Sequence, residues 1–91
     1  MELECVLHRR ASKTLEARTL DIGPGGMRVH CERPLSVDEV LDFELPDRAR
    51  VNGRARVLRE MNYRVYALRF EKLGDEARAE IAAIALPRER T

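Results

Sequence analysis

The feature that most limits what this chain can become is a period of two. Val51, Gly53, Ala55 and Val57 alternate with Arg50, Asn52, Arg54 and Arg56, which sets an apolar face against a charged one and requires an extended strand between core and water. The same pattern recurs along the chain. It runs from Glu2 to His8, where Leu3, Cys5 and Leu7 alternate with polar neighbours and Val6 is the exception. It resumes from Leu15 to Ile22, in Met27, Val29 and Cys31, in Leu41, Phe43 and Leu45, and in Tyr66, Leu68 and Phe70.

The breaks between these runs are turn residues. Arg9 to Thr14 is polar, Pro24, Gly25 and Gly26 form a turn between the second and third runs, and Glu32 to Asp38 carries Pro34. Pro46 with Asp47, and later Asn62, close the remaining gaps. One helical pattern follows: Ala77, Ile81, Ile84 and Ala85 fall at helical spacing, Asp75 is placed as the N-cap, Glu76 lies in the first turn, and Pro87 ends a helix over Asp75 to Leu86. Six short strands and a final helix predict an all-β fold with one C-terminal helix, a six-stranded antiparallel β-barrel whose helix covers one end. Leu3, Leu7, Val29, Phe43, Val57, Leu68, Phe70 and Ile81 are its expected core. The 91 residues are read as a single domain over 1–91, too few for two cores.

Charge and composition remove several classes of function. Seventeen basic residues against sixteen acidic leave a net charge of +1, which supplies no general pull toward nucleic acid or anionic membrane. No apolar run reaches the roughly 18 residues that span a bilayer, and Glu2 and Glu4 follow Met1 where a secretory signal would be basic and then apolar. The expectation is a cytoplasmic protein with no nucleic-acid partner and no membrane insertion. Cys5 and Cys31 lack CxxC spacing and are read as reduced core thiols. His8 and His30 are read as solvent-facing imidazoles, not metal ligands. Ser12 and Ser36 stand apart from any histidine, so no nucleophile with a base is apparent and no catalytic residue is assigned.

The most informative segment is Ala17 to Val29, ARTLDIGPGGMRV. It resembles the D/NxSxxG signature of the PilZ family: Asp21 matches its first position and Gly26 its last, and Gly23 stands where the family has serine. ALRF at Ala67 to Phe70, then EKL and a short helix, are similar to the family's ending, so the resemblance covers almost the whole chain. It implies a PilZ-like barrel in bacterial signalling whose usual ligand is cyclic di-GMP. It also implies an RxxxR segment ahead of the first strand, whose planar guanidinium forks grip phosphate and stack on guanine.

In this sequence the alternating first strand begins almost at Met1, which leaves no place upstream for that clamp. Arg9 and Lys13 form an approximate RxxxK, and with Arg10 they are the candidate substitute, but lysine lacks the bidentate fork. The partial ligand motif is therefore Asp21, Gly23, Gly26, Arg9, Arg10 and Lys13. The same hexapeptide DIGPGG also reads as a ligand-free turn, with Asp21 bonding the backbone two residues on and Gly26 supplying a φ that only glycine adopts cheaply. Arg50, Arg54 and Arg56 are expected to pair with Asp42 and Glu44 across neighbouring strands. The expected function is a non-enzymatic adaptor that acts on a protein partner and binds cyclic di-GMP weakly or not at all, with no cofactor. The alternative is a cyclic di-GMP receptor that uses the DIGPGG loop and the substitute basic residues.

Overall fold

The computed structural model of the protein describes residues 3–9 and 14–85, apart from the side chains of 49, 50 and 85. Six strands, β1 (Leu3–His8), β2 (Thr14–Ile22), β3 (Gly26–Cys31), β4 (Val40–Leu45), β5 (Arg48–Asn62) and β6 (Val65–Leu73), precede one helix, α1 (Asp75–Ala85). The strands close into an antiparallel barrel in the order β1-β2-β3-β6-β5-β4. Closure pairs the first strand with the fourth, Leu7 opposite Phe43, so the apolar faces share one interior and few backbone groups lack partners. The alternation fixed this outcome, since each strand had only one face to bury.

Leu7, Val29, Leu45, Val51, Ala55 and Val57 are fully enclosed, with Leu41, Phe43, Leu68 and Ile81 nearly so. Two residues expected in the core are only partly buried against it, Leu3 and Phe70. Leu3 opens the ladder opposite Thr19. Phe70 lies past the last β3–β6 pair, Gly26 with Arg69, and its ring stacks on Phe43 at 5.3 Å between centroids. Two buried groups had no clear sequence signal. Thr19 points inward, with its hydroxyl donating to the Met27 sulfur at 3.8 Å. Leu35 is buried within the connection read as polar, and its N–H donates to the Tyr66 hydroxyl at 3.1 Å.

β5 runs well beyond Val57. Register shifts at Leu58 and Met61 against β6 break the period of two there, because a bulge inserts an unpaired residue and turns the following side chains over. α1 packs on β5 and also reaches β2; these strands lie across the barrel from one another, so the helix covers one mouth. Ala77 and Ile81 are buried beneath it. The N-cap is Gly74, not Asp75: the Gly74 carbonyl accepts the first helical bond, from Arg78 N at 3.0 Å. Asp75 and Glu76 instead occupy the first turn, where negative charge meets the helix dipole. Leu86 and Pro87 lie outside the described residues. No described helix is long and apolar enough to cross a membrane.

Candidate functional site

The DIGPGG segment forms the tip between β2 and β3. Its backbone closes through Gly23 N–H donating to Gly26 O at 2.9 Å, and Phe70 N–H donates to Gly25 O at 2.9 Å, which lays the loop against β6. A register shift between Thr19 and Asp21 leaves Leu20 unpaired and sets Asp21 opposite Arg28. Both side chains point outward. Arg28 donates through Nε to Asp21 Oδ2 at 2.7 Å and also through Nη2 to the same oxygen. That hydrogen bond holds the Asp21 carboxyl below the usual carboxylate range.

These contacts correct two expectations about the tip. Asp21 does not bond its own turn, because the bulge turns its carboxylate to Arg28. Gly26 is not needed for an unusual φ, since no described glycine has positive φ. It is needed because β3 passes so close to β6 that a Cβ there would lie 2.1 Å from the Leu68 carbonyl oxygen. Gly23 and Gly25 have nothing within 4 Å of the corresponding position. A side chain would fit at either, so the absence of serine at Gly23 is not forced by crowding.

Arg9 lies elsewhere. It follows β1 at the end where His8 pairs with Thr14, and Asp21 is seven residues further along β2 than Thr14, roughly 23 Å of strand. Its guanidinium grips Glu39, Nε to Oε2 at 2.6 Å and Nη2 to Oε1 at 3.0 Å, and donates to Pro34 O at 2.7 Å. Glu39 Oε1 also accepts Ser36 N–H at 3.0 Å. This bidentate pair ties the end of β1 to the β3–β4 connection, holding Glu39 below its ordinary range and raising Arg9 further. Asp21, Gly23 and Gly26 are thus brought together, Arg9 is not, and Arg10 and Lys13 lie outside the described residues.

Of the pairings expected for the arginine row on β5, the described residues show one. Arg54 Nε donates to Asp42 Oδ1 at 3.0 Å. Arg56 turns to β6, donating to Glu71 Oε2 at 2.8 Å, the residue that the shift between Arg54 and Ala55 leaves out of the ladder. Glu44 faces His8 at 3.3 Å, and the Arg50 side chain is outside the described set. Cys5 and Cys31 are buried free thiols, and burial pushes Cys5 up to about 11. His8 and His30 are part-exposed.

Two features of this region had gone unread in the sequence. Arg28 is found by counting outward from the Pro24–Gly25 tip, which sets Ile22 against Met27 and then Asp21 against Arg28. A groove of about 610 Å³ on the outer face of β1–β3, lined in part by Glu4, Val6, Glu16, Leu20 and His30, left no local motif.

No curated protein matches the chain. The family model described as PilZ domain matches residues 1–86, which agrees with the closed barrel, the β2–β3 tip and the helix that follows β6, and the chain belongs to the PilZ domain family.

Proposed function

We propose that this chain is a non-enzymatic regulatory adaptor of bacterial signalling, acting through a protein partner and binding cyclic di-GMP weakly or not at all. The observation that carries the reading is the separation of the basic residue Arg9 from the Asp21 tip, together with its bidentate engagement by Glu39. A dinucleotide clamp needs cations able to close on two phosphates beside the guanine-reading loop. Recruiting Arg9 would break three hydrogen bonds and leave the Pro34 carbonyl and Glu39 without it. The loop has one carboxylate, already neutralised by Arg28, and no side chain at Gly23. A single domain over 1–91, acting in the cytoplasm, belongs to the same proposal.

The receptor reading has one observation in its favour. Leu3 pairs with Thr19, so chain running into β1 enters beside the tip, and arginines preceding Leu3 would be within reach of it. Calorimetric titration with cyclic di-GMP separates the two readings: no saturable heat supports the adaptor, and saturable binding supports the receptor.

A further inference from the structure

The large apolar side chains left exposed among the described residues all belong to one end of the barrel. They are Val37, Leu58, Met61 and Tyr63, with Tyr63 78% exposed and Leu58 46%. They border an unpaired edge of backbone. The β4–β5 ladder ends at Val40 opposite Arg56, and two last bonds, Asp38 N–H to Val57 O at 2.7 Å and Val57 N–H to Glu39 O at 2.9 Å, close it. Beyond Val57, residues Leu58 to Asn62 pair with β6 alone among the described residues. Among the described residues the closed barrel therefore carries a short open strand edge here, with an apolar side chain at each of its two bulges. Such an edge is a template for another extended chain.

Charge indicates which chain. Arg9, Arg28, Arg48, Arg54 and Arg56 each face a carboxylate of this protein. Arg59, within the open edge, faces none among the described residues, and Arg64 at the hairpin turn lies over the Tyr63 ring at 4.8 Å. The one acid between them, Glu60, has its Oε2 occupied by the Arg64 N–H at 2.9 Å. A second copy added symmetrically about the middle of this stretch would set Glu60 opposite Glu60, a like-charge pair that opposes docking. We propose that the edge Leu58 to Asn62 receives an extended segment of a partner protein that alternates apolar with acidic residues. The apolar side chains cover Leu58 and Met61, the acids meet Arg59 and Arg64, and the backbone continues the sheet. This rests on the adaptor reading, to which it gives a surface and a partner chemistry.

The test uses the whole chain, isotope-labelled, and a short peptide alternating valine and glutamate, with a valine–lysine peptide beside it. Amide shifts confined to residues 37–38 and 58–62, slowed exchange of the 58–62 amides, and preference for the glutamate peptide are expected. Leu58→Lys should weaken binding by at least about tenfold, and Arg59→Glu should reverse the preference. Both positions are exposed, and an unchanged spectrum elsewhere reports that the variants fold. Absent shifts, shifts on another face, insensitivity to Leu58→Lys, or edge shifts that appear with protein concentration alone would each overturn the proposal, the last by identifying a second copy as the occupant. Adding cyclic di-GMP to the same samples tests the adaptor reading separately: ligand binding would defeat that reading whatever the peptide does.

Discussion

Gly26 of β3, opposite Arg69, lies so close to the preceding residue of β6 that the Leu68 carbonyl oxygen occupies the space a Gly26 side chain would need, 2.1 Å from an ideal Cβ. The constraint is steric, from one strand crossing tightly under another, and it holds the tip on the barrel. Gly26→Ala should destabilise the protein by about 1–3 kcal/mol, as overpacking against a backbone that can only shift costs. Gly23→Ala and Gly25→Ala, with open space around them, should change stability little. Chemical denaturation midpoints check this, and equal midpoints for all three variants would contradict the close approach.

Phe43 and Phe70 form a stacked pair with unequal burial, Phe43 being only 2% exposed and Phe70 partly open at the barrel's end. Phe43→Ala should cost about 3–5 kcal/mol, and Phe70→Ala less, about 2–3 kcal/mol, because less of its ring leaves water on folding. A larger loss for Phe70 would mean that the open side of its ring is covered.

The Arg9–Glu39 pair predicts a pH dependence. Glu39 is held below its ordinary value near 4.5 by the Arg9 hydrogen bonds, so the folded state binds fewer protons than the unfolded state as the acid range is entered. Its contribution is complete above that ordinary value and lost as pH falls through the depressed one. Glu39→Gln should cost about 1 kcal/mol near neutrality, with the deficit shrinking as pH falls below 4.5. Denaturation of both proteins as a function of pH measures it, and a deficit independent of pH would show that the charge is not what binds the connection.

Burial raises Cys5 to about 11, from an ordinary value of 9.0. The folded thiol keeps its proton where the unfolded thiol has lost it, so its contribution is complete below 9.0 and is lost as pH rises toward 11. Thiol reagents should modify Cys5 only as fast as the protein opens, and Cys5→Ala should be relatively less sensitive to alkali than the parent. Rapid labelling of the folded protein at neutral pH would contradict this.

The strands and their order of appearance could be read from the sequence because alternation reports a buried face directly, as in Val51 to Val57. The reading failed where geometry is set by something other than alternation. The bulges at Leu58 and Met61 hid the length of β5, since an inserted residue erases the period that identifies a strand. Asp21 was recognisable as a motif residue, but its partner Arg28 depends on the register of a hairpin. The role of Arg9 depends on Glu39, which lies 30 residues away and meets it only when the barrel closes through β1 and β4. Gly26 was identified as structural for a wrong reason, because a close approach by β6 leaves no mark in the local sequence.

Under the proposed function, Arg9 is held away from the β2–β3 tip by Glu39 and this PilZ barrel binds cyclic di-GMP weakly or not at all. A site without two charge-assisted arginine contacts forgoes on the order of 3–6 kcal/mol, a hundred- to ten-thousand-fold in affinity, which takes a micromolar site out of measurable range. Calorimetric titration of the unmodified chain with cyclic di-GMP at tens of micromolar tests this directly. No saturable heat is expected, with partial recovery when an RxxxR extension is placed before Met1 together with Gly23→Ser, for which the tip has room. Tight, saturable binding by the unmodified chain would contradict it.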